Sequence, residues 1–132
     1  MYNPYQIYQQ SSVQTATPNH LIIMLYDGAI RFTKAGIQSI RERNIERANE
    51  NFKKAQAVIN ELIASLNFDY SISSNLASIY EYLLALLLKA NLKKDVKPAE
   101  EALQFLVDLS ETWKQVLKGA GNTASTEQGV VK

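Results

Sequence analysis

The sequence predicts an all-α protein, an antiparallel up-down-up-down four-helix bundle preceded by an N-terminal arm or short helix. Three observations carry this. Apolar residues recur with a period near 3.6 in four long stretches, the pattern of helices that bury one face. The three prolines, Pro4, Pro18 and Pro98, fall where punctuation is expected. No alternating strand-like run is bounded by an Asn-Gly or Asp-Gly turn, and Asp27-Gly28 sits inside a helix-periodic stretch.

Residues 1–16 form the arm. It sets Tyr2, Tyr5, Ile7, Tyr8 and Val13 among glutamines and serines. Disordered segments are poor in aromatics, so these tyrosines predict an arm that docks on the bundle. The bundle itself is expected over residues 17–119. Its first helix opens at Thr17-Pro18, a hydroxyl cap followed by a residue suited to the first helical position. Leu21, Met24, Leu25, Gly28, Phe32 and Ala35 then repeat toward Arg41. Gly28 and Gly36 each cost about 1 kcal/mol against alanine in a helix. Close approach of a neighbouring helix is the favoured reason for them, and room for a ligand backbone the alternative.

Asn44 caps the second helix, whose apolar face is Ile45, Ala48, Phe52, Ala55, Ile59, Leu62, Ile63 and Leu66. Its other face carries Arg47, Glu50, Lys53, Lys54 and Glu61, an ordinary solvated set. Asn67 to Ser71 make the turn, with Ser71 or Ser73 as the cap of the third helix. That helix is expected to end near Ala90-Asn91, leaving Leu92 to Lys97 as a polar connection. Pro98 opens the fourth helix, with Glu100 and Glu101 against the positive end of its dipole. Ala102, Phe105, Leu106, Leu109, Trp113, Val116 and Leu117 form its stripe, and Gly119 stops it. Residues 120–132 have nothing to bury and read as a disordered tail.

Chemistry is scarce. Cysteine is absent, which removes disulfides and thiolate catalysis. His20 is the single histidine, in the first turn of the first helix, and no glutamate is followed three residues later by histidine as a di-iron carboxylate bundle requires. Glu46 and Glu50, like Glu100 and Glu101, lie on polar faces. No phosphate-cradling glycine loop occurs. The expectation is therefore no enzyme, no cofactor and no metal. A formal net charge of +1 predicts no nucleic-acid partner. The longest apolar run, Tyr82 to Leu88, falls far short of the roughly 20 residues of a membrane span. No signal peptide is read in the opening residues, and a cytoplasmic location is expected.

What stands out is surplus apolar surface. Leu76, Ile79, Tyr80, Leu83, Leu84 and Leu87 already complete the stripe of the third helix, leaving Tyr82, Ala85, Leu86 and Leu88 on other faces. Such a surplus predicts a partner.

The chain resembles the flagellin export chaperone family, FliS, across essentially its whole length. The residues that carry the resemblance are Tyr8-Gln9-Gln10-Ser11 through Pro18, and Leu21 to Ile30 with its Tyr26-Asp27-Gly28. Further on come Lys54-Ala55-Gln56, Ile59 to Leu62, Asn75-Leu76, Ile79 to Leu83, Lys89-Ala90-Asn91, Asp95 and Trp113-Lys114. The chain departs from the family's pattern at Ala85-Leu86-Leu87, where basic residues often stand. The resemblance implies a cytoplasmic bundle that binds the C-terminal segment of flagellin, disordered when free and helical when bound, as a monomer in a one-to-one complex. It also implies that binding prevents premature assembly and that a component of the flagellar export gate receives the complex. The residues expected to meet the partner are Tyr5, Ile7, Tyr8, Ile22, Tyr26, Tyr82 and Leu86. A structural or self-associating bundle without a secretion substrate is the alternative. Leu25, Phe32, Ile59, Leu83 and Trp113 are expected to be structural.

Overall fold

A computed structural model of the chain describes residues 18–120. They form four helices, α1 (Pro18–Arg41), α2 (Ile45–Ala64), α3 (Ile72–Lys93) and α4 (Val96–Ala120). Each packs against its neighbours in sequence, and α4 returns to α1 to close the ring. The α1–α4 seam is antiparallel: Arg41 pairs with Glu100 at one end (2.7 Å), and Lys114 reaches Asp27 toward the other (3.7 Å). The up-down-up-down bundle expected from the sequence is the observed fold. The arm with Tyr5, Ile7 and Tyr8, and the tail beyond Ala120, lie outside the described residues.

Two of the three turns are built alike. At the end of α1, Arg43 takes a left-handed conformation (φ 60°), and the Asn44 amide donates back to the Ser39 carbonyl. At the end of α3, Lys94 does the same (φ 52°), and the Asp95 amide donates to the Ala90 carbonyl. Both are Schellman-type stops made with a residue other than the usual glycine. In each, the following Asx residue caps the next helix. Asn44 Oδ1 accepts from the Arg47 amide, and Asp95 Oδ1 from the Lys97 amide. Arg43-Asn44-Ile45 and Lys94-Asp95-Val96 are thus one device used twice: a basic residue, an Asx cap and a β-branched first helical residue.

Lys94 explains why α3 runs beyond Asn91, where the sequence reading ended it. Its ammonium donates to the Asn91 carbonyl (2.6 Å), to Asn91 Oδ1 (2.9 Å) and to Asn49 Oδ1 on α2 (3.1 Å). A cation on the last carbonyls stabilises a helix C-terminus, and here it also ties that end to α2. With Asp95 as the cap, α4 begins at Val96 rather than Pro98. Proline is accommodated in the first turn, whose amides need no intrahelical acceptor. Gly119 does not stop α4, which continues through Ala120; no glycine of the described chain has positive φ. The α2–α3 turn corrects a second detail. Ser71 makes no side-chain cap bond, and the Ser73 hydroxyl turns back to donate to the Asn67 carbonyl (2.6 Å).

The core lies along the axis between the helices, with Leu25, Phe52, Val58, Ile59, Leu62, Leu83, Leu87 and Leu106 buried. Trp113 joins them, but Phe32 is only partly buried and carries the Arg31 and Lys54 cations over its ring. At Gly36, α1 lies directly against the Phe52 ring of α2. A Cβ there would stand 2.7–2.9 Å from the Phe52 ring, so close helix packing does account for this glycine. It does not account for Gly28, where the nearest atom would be Val58 Cγ2 at an ordinary 4.0 Å.

Candidate functional site

The helix period decides which residues of α3 face outward. Leu83, Leu87 and Ala90 point to the axis, which places Tyr82, Ala85, Leu88 and Leu92 on the far side. Three of these are large, with Tyr82 46%, Leu88 50% and Leu92 75% exposed. An apolar row along the outside of a helix is the signature of a surface that another molecule covers.

α4 supplies the second wall. Phe105 stands 39% exposed beside Tyr82, their rings edge to face at 81° with centroids 5.8 Å apart. The Tyr82 hydroxyl donates to the Glu101 carboxylate, one turn before Phe105. That bond holds the phenol proton and raises the Tyr82 pKa above its ordinary value. The α2–α3 turn adds Phe68, Tyr70 and Ile72 at the base of the helix, all exposed. At the opposite end, Ile40, Arg43, Asn44, Ile45 and Lys94 line a depression of about 300 Å³.

Beneath this surface is a buried polar knot. Trp113 Nε1 donates to the Tyr26 hydroxyl (3.0 Å), which shares a second hydrogen bond with the Tyr80 hydroxyl (2.6 Å). The three side chains join α1, α3 and α4. Burial pushes the Tyr80 pKa up to about 12 and that of Tyr26 higher still, so both phenols stay neutral. Two further hydroxyls, Thr33 Oγ1 and Ser110 Oγ, are buried without a partner among the described residues.

Of the seven residues expected to meet a partner, Tyr82 is on the outer face. Ile22 and Tyr26 are core residues at 2% and 0% exposure, and Leu86 is buried at 8%. Leu86 was part of the surplus read from the sequence; it points toward the side of α3 that α4 covers, whereas Ala85 and Leu88 remain outside. Tyr5, Ile7 and Tyr8 lie outside the described residues. Phe105, Leu92 and the Phe68-Tyr70-Ile72 group were not singled out from the sequence. Phe105 carried a signal, because it sits at the edge of its helix's stripe, about 100° round from the buried Leu106.

Among the described residues, no three His, Asp or Glu side chains gather where a metal could sit, and no helix is long and apolar enough to cross a membrane. The site can bind, and its geometry suits an apolar helix laid along α3.

Comparison with known proteins gives the family. The profile described as Flagellar protein FliS matches residues 1–120. This chain belongs to the FliS family. The Flagellar secretion chaperone FliS of Bacillus subtilis (strain 168) is 40% identical over 116 residues, covering 88% of this chain and 87% of that protein. The FliS chaperone of Salmonella typhimurium (strain LT2) is 33% identical over 114 residues, covering 84% of each chain. That of Campylobacter jejuni (serotype O:6, strain 81116) is 30% identical over 114 residues, covering 85% of this chain and 89% of its own. FliS is a family of chaperones, and this member is not an enzyme.

Proposed function

We propose that the protein is a cytoplasmic export chaperone whose client is the C-terminal segment of flagellin. The segment is disordered when free and folds into helices against the outer face of α3 and the groove between α3 and α4, a helix-in-groove mode of recognition. Holding it there prevents premature polymerisation, and the one-to-one complex is delivered to a component of the flagellar type III export gate. The observation that carries this reading is the apolar row Tyr82-Ala85-Leu88-Leu92 flanked by Phe105, on a chain whose relatives are named flagellar secretion chaperones.

Tyr82 is placed at the centre of the contact, while Ile22, Tyr26 and Leu86 shape the groove from below. The arm residues Tyr5, Ile7 and Tyr8 are further contacts of the client in this reading. Coupled folding of this kind buries on the order of 1,000–3,000 Å² and leaves a negative heat-capacity change. Most of the gross stabilisation is offset by ordering the client, so affinity is spread over many contacts.

The test is calorimetry and circular dichroism on mixing the chain with a C-terminal flagellin segment. Helicity beyond the sum of the parts, together with a negative heat-capacity change, is the expected result. Absence of ordering, or dimers of the chaperone that the segment does not disrupt, overturns the reading in favour of a self-associating bundle.

A further inference from the structure

Charge is unevenly distributed around the ring of helices. From Ile72 through Leu88, α3 has no lysine or arginine, and neither does α4 from Pro98 through Trp113. Over those stretches the two helices carry five carboxylates: Glu81, Glu100, Glu101, Asp108 and Glu111. Glu100 is paired with Arg41 of α1. No ion pair engages the other four among the described residues. The helix period turns Glu81, Glu100 and Glu111 to other sides, so the exposed Tyr82–Phe105 contact between α3 and α4 is bordered on its α4 side by Glu101 and Asp108, with Lys89 further along the same face of α3.

Glu101, Phe105 and Asp108 follow one another along one side of α4 at helical spacing, and Tyr82 closes the same place from α3. Glu101 accepts a hydrogen bond from a neutral phenol, which leaves its charge uncancelled. A carboxylate flanked by aromatic walls is the chemistry that holds an ammonium or guanidinium group, by a charge-assisted hydrogen bond and by attraction to the ring faces. The alkyl stem of such a side chain also suits the Tyr82-Phe105 surface.

We infer that the groove at Tyr82, Glu101 and Phe105 receives a lysine or arginine side chain carried on an apolar helix of the partner. The identity of the partner rests on the function proposed above; the chemistry of the subsite rests on the charge and geometry of this chain. On docking, the cation takes the Glu101 oxygen that Tyr82 now occupies, and the Tyr82 hydroxyl turns to solvent or to the incoming backbone. The subsite selects register as well as partner, because a client helix slid by one residue turns its cation away from Glu101.

The test uses the full chain and synthetic amphipathic helical peptides of leucine, alanine and glutamine that carry one lysine on the apolar border. Twins replace the lysine by glutamine or glutamate. The lysine peptide is expected to bind about threefold to tenfold more tightly than its glutamine twin at low salt. That preference should disappear in Glu101→Gln, shift to the glutamate twin in Glu101→Lys, and shrink in about 0.5 M salt. Equal binding of the twins to the wild-type chain, a preference that survives Glu101→Gln, or failure of all the peptides to bind overturns the subsite. So does a dimer of the chain alone that the lysine peptide does not dissociate, since a second copy would then fill the groove. The flagellin segment is measured in parallel. If it binds wild type and Glu101→Lys equally, the subsite fails and the chaperone reading stands. If it binds neither while the lysine preference holds, the chaperone reading fails and the subsite stands.

Discussion

The hydroxyl of Tyr26 on α1 lies 2.6 Å from that of Tyr80 on α3, across the diagonal of the bundle, and also receives the indole N–H of Trp113. A single oxygen thus fixes three helices relative to one another. Tyr26→Phe removes it and leaves the buried indole donor without an acceptor, at an expected cost of about 1–3 kcal/mol. Tyr80→Phe should cost less, because Trp113 keeps its acceptor. Urea unfolding midpoints of the two variants decide the order.

The same knot makes the fold sensitive to alkali. In the unfolded chain both phenols ionise near pH 10.0, whereas the folded chain holds Tyr80 neutral to about 12 and Tyr26 beyond that. Above about pH 10 the unfolded state therefore binds fewer protons than the folded state, and stability falls as pH rises. Below pH 10 the contribution is fully present. Denaturation at pH 8, 10 and 11 should show this decline, and the Tyr26→Phe, Tyr80→Phe double variant should show less of it.

Gly28 and Gly36 are expected to respond oppositely to alanine. At Gly36 the new methyl would press on the Phe52 ring, which is wholly buried. Overpacking costs about 1–3 kcal/mol and should outweigh the gain in helix propensity. At Gly28 the methyl meets Val58 at an ordinary distance, and Gly28→Ala should stabilise by about 0.5–1 kcal/mol. Thermal and denaturant unfolding of both variants give the signs.

The two left-handed stops should likewise separate. Arg43→Gly relieves a conformation that costs a side-chain-bearing residue about 1 kcal/mol or more, and should stabilise the chain. Lys94→Gly gains the same relief but loses three hydrogen bonds from the ammonium, so the benefit should be cancelled or reversed. Paired chemical denaturation curves measure the difference.

Outer and inner faces of α3 should divide binding from stability. Tyr82→Ala and Phe105→Ala cost at most about 1 kcal/mol of folding free energy, since both side chains are half exposed. Each should weaken the flagellin segment by more than about 1 kcal/mol. Leu83→Ala, one residue away, should cost about 2–5 kcal/mol of stability. Isothermal titration and unfolding on the three variants separate the two effects.

How much could be read in advance follows from the range of each interaction. α2 is capped by Asn44, as local chemistry foretold. The α3–α4 junction was set too wide because Lys94 acts through Asn49, 45 positions away in the chain. The apolar surplus of α3 was legible from its period, yet which residues carry it was not: Leu86 is covered because α4 lies on its side, and no local pattern states where a neighbouring helix will sit. Trp113 and Tyr26 are 87 residues apart, so their hydrogen bond left no trace in spacing. Phe105 looked like core because membership of a stripe says nothing about whether its edge is sealed.

Trp113 is the one tryptophan of the chain, and its indole is anchored inside the bundle by Tyr26. Its emission spectrum is therefore a gauge of the interior, insensitive to what settles on the far side of α3. A client that docks without prising the helices apart should leave that spectrum unchanged, while one that invades the core should redden it, so a single optical trace distinguishes coating from penetration.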